Sequence, residues 1–545
     1  MGDPTERESV WLRGAMLLGA AALLSKVIGT MQKIPLQNLA GDRVFGIYNA
    51  VYPFYQLLLF VATAGFPVAV SLLVSKYAEA GDRAALRRVL QAGTLLLGLS
   101  GAITFAVMWS GAGKAAGWIG DPDTASAIRM AALSLWFVPV TAALRGYFQG
   151  LQRMGPTAGS QIAEQTVRVG AMLALLFIGL SAGWNESAMA AGAMAGSAAG
   201  GAAGLAVMTV YWLRTNGRKT RDDPGKGVQV QETFPKLMRR LAKLAIPVAA
   251  GSAAVPIVGM VDAVTVPRLL QASGIEKTEI MTMFGLYSRG QPLVQLVVMV
   301  AGAAAAAIVP ALAAARAKGD DIRQAQQAEL ALRFAWWIGV AASAGLALLA
   351  EPINVMLYTD NQHTLTFALI GCTAAAGTIN AVTAALLPGL GAVRLPLALM
   401  LFAALLKAGL NAALVPVFGI AGAAYAGIAA FTAAALLGAA AVRRAAGARL
   451  PAKRYAAGTG LALACMAAAL MLAERGVAAL LGMAPLPPRA AAALLALTGT
   501  AVGAVVFAAV LLRCGGISAR ELRAFPGGAS LAGRLRRWRL LPPGE

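Results

Sequence analysis

Long apolar stretches alternate with short polar ones along almost the whole chain. An apolar run of about twenty residues is long enough to cross the hydrocarbon of a bilayer as a helix, at 1.5 Å of rise per residue. The pattern predicts spans at 12–40, 44–77, 86–112, 124–148, 158–182, 186–213, 240–270, 281–315, 325–350, 363–388, 395–416, 419–442, 455–474 and 490–513. No strand is predicted. The expected fold class is an all-α polytopic membrane protein of about fourteen transmembrane helices. Glycine and alanine crowd segments such as Ala190–Gly204 and Ala301–Ala307, and small residues let helices approach closely where lipid gives no hydrophobic drive to associate.

Composition agrees with the pattern. The chain is 59% hydrophobic and 13% charged, far from the roughly 25% charged residues of soluble domains, and its mean hydropathy is +0.69. Met1–Arg13 is short and mixed in charge, and the apolar run behind it lacks a small-residue cleavage site. That run reads as a first span, not a removable signal. The three cysteines, Cys372, Cys465 and Cys514, are far apart and predict neither a disulfide framework nor a metal site.

The net charge of +22 raises nucleic acid as a partner, but the positions of the charges answer otherwise. Most of the 46 Lys and Arg fall on alternate loops and tails that include both termini. This asymmetry predicts an inner-membrane protein with both ends in the cytoplasm. The richest segments are Arg214–Lys243 and the tail with Arg534, Arg536, Arg537 and Arg539. Both are expected to lie on anionic lipid headgroups, and no nucleic-acid partner is expected.

The chain also repeats. Gly150 and Gly389, Arg168 and Lys407, and Gly170 and Gly409 are each 239 residues apart. Gly81-Asp82 recurs as Gly319-Asp320 at an offset of 238, a pattern in which glycine stops one helix and aspartate caps the next. The expected organisation is an N-terminal lobe of six spans at 1–213, a basic cytoplasmic linker at 214–239, a C-terminal lobe of six spans at 240–442, two added spans within 443–513, and a basic cytoplasmic tail at 514–545. Two pseudo-symmetric lobes of this kind bind substrate between them.

Charges within spans are the chemically informative residues, because each Lys or Arg at a helix centre costs about 2.5–3.5 kcal/mol on insertion scales. Lys26, Gly29, Lys33 and Gln37 follow helical spacing and form one polar stripe on the first span. We expect it to face an aqueous cavity and attract phosphate. Arg289, with Gln291 and Gln295, is expected to line the same cavity, its forked donors suiting a diphosphate; for Lys33 and Arg289 the alternative is snorkelling to the interface. Asp262 reads either as a coupling residue or as half of a static ion pair. Arg145 and Gln149 on the fourth span, and Glu164 and Arg168 on the fifth, form a second polar network, with Glu164 and Arg168 spaced as an i,i+4 pair. Lys407 and Asn411 are their counterparts in the second half. This network either braces the lobe or contacts substrate. Prolines within spans, such as Pro53, Pro267 and Pro310, imply kinks.

Several segments resemble the multidrug, oligosaccharidyl-lipid and polysaccharide exporter superfamily, in its branch of stage V sporulation protein B and lipid II flippases. They are Leu23–Asp42, Tyr52–Asp82, RGYFQGLQRMGP at Arg145–Pro156, SQIAEQTVRV at Ser160–Val169 and YSRGQP at Tyr287–Pro292. The resemblance implies fourteen helices in two lobes, a cationic cavity, and translocation of undecaprenyl-diphosphate-linked sugar to the outer leaflet. It matches Lys26 and Arg289 to charged positions of the family, with Lys33 within one residue of another. Lys26 stands where arginine is usual, and no arginine occurs near Gln56, so the implied substrate is lipid II or a related lipid-linked glycan.

Two other functions compete with this one. A cation-coupled drug exporter would share the fold, but it calls for acidic residues in the first lobe, where this chain carries Lys26 and Lys33. A membrane glycosyltransferase or acyltransferase lacks candidates: His363 reads as an interface residue, Asp121-Pro-Asp123 as a helix-starting turn and Asp222-Asp223 as a solvated turn. No phosphate-binding loop appears. The expectation is a non-enzymatic secondary transporter without cofactor.

Overall fold

The computed structural model describes residues 4–217, 233–447 and 452–515, apart from positions 64, 253, 484 and 485, together with position 533. Most of the predicted basic linker and nearly all of the basic tail lie outside the described residues. The chain divides into two compact units, Met1–Gly285 and Leu286–Glu545.

The first unit carries α1 (Pro4–Met31), α2 (Lys33–Thr63), α3 (Phe66–Glu79), α4 (Arg83–Ser110), α5 (Ala112–Ile119) and α6 (Thr124–Ala132). A 3₁₀ turn at Leu133–Trp136 leads to α7 (Val138–Gly150), α8 (Met154–Ser181), α9 (Glu186–Gly217), α10 (Phe234–Ser252) and α11 (Ala254–Ala272). Helix α12 (Lys277–Ser288) runs across the division. The second unit holds α13 (Gln291–Ala317), α14 (Asp321–Leu348), α15 (Ala350–Tyr358), α16 (Thr364–Gly389), α17 (Leu395–Phe418), α18 (Ile420–Ala446), α19 (Ala452–Met483) and α20 (Pro488–Arg513). No strand occurs among the described residues.

Twelve helical stretches among the described residues are long and apolar enough to cross a membrane. One of them, Met16–Glu79, is 64 residues long, ample for two crossings at about twenty residues each, and it contains both of the first two predicted spans. The predicted seventh span corresponds to α10 and α11, which are not among the twelve. Large apolar side chains face outward, with Leu405 at 76% and Leu497 at 64% exposed, as lipid-facing positions require.

Local chemistry explains the helix ends. Gly81 and Gly319 adopt φ of 70° and 66°, a left-handed conformation that costs glycine little. Next to them Asp82 Oδ1 accepts the Ala85 amide at 2.8 Å and Asp320 Oδ1 accepts the Arg323 amide at 3.0 Å, each capping the following helix. The repeated Gly-Asp pair therefore performs the same stop and start twice. Helices α7 and α16 likewise end at Gly150 and Gly389, at the offset of the repeat.

Packing rests on glycine. On α9, Gly196, Gly200 and Gly204 recur every four residues against α8. A Cβ at Gly196 would lie 2.7 Å from the Arg168 carbonyl oxygen, and one at Gly200 would lie 2.6 Å from that of Glu164. Only hydrogen fits there, so the stripe sets how near α8 lies. A second close approach joins α2 and α12. A Cβ on Gly46 would overlap the Met281 carbonyl oxygen, and one on Gly285 would overlap that of Asp42. The two contacts are reciprocal: Gly46 and Gly285 are 239 residues apart, as are Asp42 and Met281.

In the first unit α10 packs on α2, α3 and α4, and α11 packs on α2 and α5. The sequence repeat puts these same two helices at the start of the second half; contact and sequence likeness divide the chain at different places. In the second unit, α19 and α20 pack on each other and on α14, and α20 also on α15. Arg489, near the start of α20, donates to the carbonyl oxygens of Met356 and Leu357 at 3.0 and 3.5 Å, satisfying orphan acceptors at the end of α15.

Candidate substrate-binding site

Helix α2 carries the first cluster. Lys33 stands at its first residue, 8% exposed, and its ammonium donates to Asn49 Oδ1 at 3.0 Å. The same nitrogen lies 5.7 Å from the centre of the Tyr52 ring. From α8, the guanidinium of Arg168, also 8% exposed, lies 5.5 Å from that ring and reaches the Tyr48 hydroxyl at 3.5 Å. Gln32 Nε2 donates to the same hydroxyl at 3.0 Å. Tyr48 stacks on Tyr52, with ring centres 5.8 Å apart. Two buried cations therefore share one aromatic ring, whose negative face attracts both.

The spacing of Glu164 and Arg168 suggested an ion pair; the structure separates them. Glu164 Oε2 accepts from Arg145 at 2.8 Å, while Arg145 also donates to Ser160 Oγ at 2.6 and 3.0 Å. One carboxylate turned toward α7 leaves Arg168 to the tyrosines of α2. Spacing along one helix does not see a better-placed arginine on its neighbour. Gln149 lies half-buried on α7.

The remaining residues of the polar stripe diverge. Lys26 is exposed on α1. Gln37 is buried and donates to Asp42 Oδ2 at 3.3 Å. Gly29 brings α1 against the side chain of Gln165 on α8. Asp262 is buried on α11.

Arg289 has a different environment, in the second unit. It is 1% exposed and held by both oxygens of Asp360, at 2.7 and 2.9 Å. Asn354 Oδ1 accepts a further bond at 3.3 Å, the Tyr358 ring lies 5.1 Å from the guanidinium carbon, and the Tyr358 hydroxyl donates to the Arg289 carbonyl at 2.8 Å. Partial burial pushes the Asp360 carboxyl up. The hydrogen bonds from Arg289 and the Gln362 amide, with the guanidinium charge, outweigh that effect, so it sits below its ordinary value. Burial, and then the charge of Arg289, lower His363. Asp360 lies in a short polar loop that carried no sequence signal beyond an ordinary turn.

Lys407 on α17 is 3% exposed, its ammonium 3.3 Å from the Tyr287 hydroxyl and 5.1 Å from the centre of the Phe431 ring. Asn411, one turn on, is fully buried. Tyr48 and Tyr287 are 239 residues apart, as are Arg168 and Lys407. Each half therefore carries the same cation-to-tyrosine bond.

A further hub was not foreseen. Gly41 leaves the helical conformation, with φ 79° and ψ 174°, and just beyond this bend Arg43 pairs with Asp123 at 2.6 Å, Glu186 at 2.7 Å and Asp121 at 3.5 Å. It also donates to the Thr278 carbonyl at 2.9 Å. Burial raises the Asp121 carboxyl above its ordinary range.

Helices of this length and hydropathy, with cations enclosed among them, define a multi-pass integral membrane protein. The family model for polysaccharide biosynthesis proteins matches residues 11–315, and the chain belongs to that family. The uncharacterized membrane protein YabM of Bacillus subtilis (strain 168) is 30% identical over 427 residues, 78% of each chain. The lipid II flippase MurJ of the same organism is 28% identical over 365 residues, 65% of this chain and 67% of the relative. A solved structure of lipid II flippase MurJ in an inward closed conformation superposes with a TM-score of 0.62 at 12% identity, covering 91% of this chain and all of that one. An inward-facing multidrug resistance MATE transporter of the MOP superfamily gives 0.60 at 14% identity, covering 78% and 94%. The chain is therefore a multi-pass membrane protein of the polysaccharide biosynthesis family, and the relatives named above are flippases and transporters, not enzymes, wherever an activity is known.

Proposed function

We propose that this protein carries an undecaprenyl-diphosphate-linked sugar, lipid II or a related polysaccharide precursor, to the outer leaflet of the inner membrane by alternating access. Lys33 carries the reading. Its ammonium is enclosed on α2 with an amide oxygen and a tyrosine ring around it and no carboxylate within ion-pair distance among the described residues. A buried charge left in this way is normally kept for a ligand of opposite sign. The 28% identity to a lipid II flippase supports the choice of cargo. The cationic drugs of multidrug exporters fit the same charge poorly. In this reading Lys26, Lys33 and Gln37 bind the anionic head, Arg289 is a further candidate binding group in the second unit, and Asp262 serves coupling. The lobes are those of the sequence repeat, both termini are cytoplasmic, and the basic linker and tail rest on anionic lipid.

The test is outer-leaflet exposure of lipid II in cells depleted of their own flippase and supplied with this chain. Restored exposure that is lost in Lys33→Ala at equal membrane levels is the expected result. No restoration by a well-expressed protein removes lipid II as the cargo, and full activity of Lys33→Ala removes the site.

A further inference from the structure

The two halves of the chain supply an internal comparison. Arg168 with Tyr48, and Lys407 with Tyr287, are the same bond at the same offset, so that bond is a shared strut. The first half adds two groups the second lacks: at 239 residues further on, Lys33 corresponds to Ala272 and Tyr52 to Gln291. The addition places a second positive charge beside the first, on the one ring both approach.

The donors are underused. A lysine ammonium has three N–H groups and an arginine guanidinium five. Among the described residues Lys33 spends one on Asn49, and Arg168 makes one long bond of 3.5 Å to Tyr48. Among the described residues neither has a carboxylate within 4 Å; Glu164, the acid nearest Arg168 in sequence, is taken by Arg145. Tyrosine rings offset only part of the cost of two enclosed like charges. Tyr52, the ring both cations approach, remains partly exposed, and that is the side from which a small anion reaches them.

We infer that Lys33, Arg168 and Tyr52 form a phosphate-binding box in the first unit, with Asn49 and Tyr48 holding the cations in place, and that its ligand is a diphosphate. Two adjacent cations with several free donors match two linked phosphoryl groups better than one carboxylate. This deepens the proposed function, on which it rests for the lipid source of the diphosphate, and it makes Arg168 the partner of Lys33.

The experiment is calorimetric titration of the purified full-length protein with inorganic pyrophosphate, then with farnesyl diphosphate, and with phosphatidylglycerol in nanodiscs. Saturable pyrophosphate binding is expected, weakened at least about tenfold in Lys33→Met and in Arg168→Gln, while Lys407→Gln changes it by less than about twofold. Tighter binding of farnesyl diphosphate identifies a lipid-linked diphosphate as the ligand, and equal binding of both identifies the free anion. Binding of phosphatidylglycerol alone, absence of binding by the unaltered protein, or unchanged affinity in both box variants overturns the inference. Should Arg168→Gln fail to fold, Lys33→Met decides, since the one hydrogen bond that lysine makes among the described residues is to Asn49, and methionine keeps its apolar stem beside the Tyr52 ring. Lipid II exposure without pyrophosphate binding overturns the box and spares the proposed function; pyrophosphate binding at the box without lipid II exposure does the reverse.

Discussion

Arg289 and Asp360 are joined by two parallel hydrogen bonds of 2.7 and 2.9 Å, the fork of the guanidinium matched to both carboxylate oxygens. The arginine is 1% exposed and the aspartate side chain 33%. The carboxylate thus supplies the geometry a phosphate would offer, and any anion that recruits Arg289 has to displace it.

Asp360→Asn leaves the buried guanidinium short of its counter-charge. We expect a stability loss of about 1–3 kcal/mol, the range for hydrogen bonds to charged groups left unmade, read by thermal unfolding in detergent. The pH dependence has a definite sign. The folded carboxyl sits below its ordinary 3.8, so its stabilisation is complete above that value and disappears as pH falls through the lower folded one. Asp360→Asn should flatten stability in that acid window; an unchanged acid profile would show that the pair contributes nothing.

Gly200 lets α9 touch the backbone of α8 beside Glu164 and Arg168. Gly200→Leu should destabilise by about 1–3 kcal/mol or more through overpacking against backbone that cannot yield, and should lower the yield of monodisperse protein in fluorescence-detected chromatography. Gly170, whose added Cβ would meet nothing within 4 Å, is the control, and Gly170→Ala should leave both readouts near those of the parent. Equal behaviour of the two variants would mean that the glycine stripe does not set the spacing.

Gly46 and Gly285 occupy one reciprocal contact between α2 and α12. Alanine at either position forces the same pair of backbones apart, so the second substitution has less left to disrupt. The double variant should be more stable than the sum of the single losses predicts, with a coupling of about 0.5–3 kcal/mol. Strict additivity would count against a shared contact.

Arg43 draws together Asp121, Asp123, Glu186 and the Thr278 carbonyl. Arg43→Gln should cost about 1–2 kcal/mol at low salt, less than a buried pair, because Asp123 and Glu186 are 44% and 57% exposed. The difference from the parent should shrink in 1 M salt, where screening reaches within about 3 Å. A salt-independent difference would locate the effect in packing around the arginine stem.

Much of the architecture was legible because membrane helices obey one-dimensional rules. A run of apolar residues has to become a helix in lipid, since no water is there to satisfy its backbone. Gly81-Asp82 and Gly319-Asp320 announce helix ends because stop and cap are both local. The small-residue segment Ala190–Gly204 was recognised as a packing surface, and Gly196, Gly200 and Gly204 lie against α8 as that surface. The charged candidates were found as residues but not as partnerships. Lys33 and Arg168 were assigned to separate clusters, because sequence spacing carries no information about which neighbour a long side chain will meet.

By itself, then, the sequence determined the helices, their ends, the internal repeat and the presence of cations too costly to place among apolar spans without reason. Tertiary structure alone decided that Glu164 serves Arg145, that Asp360 closes around Arg289, and that Tyr52 gathers Lys33 and Arg168. The physical reason is range. Helix formation and capping depend on atoms a few residues apart, whereas a charge buried in low dielectric is governed by whatever group lies within a few ångströms, and here that group is up to 120 positions away in the chain.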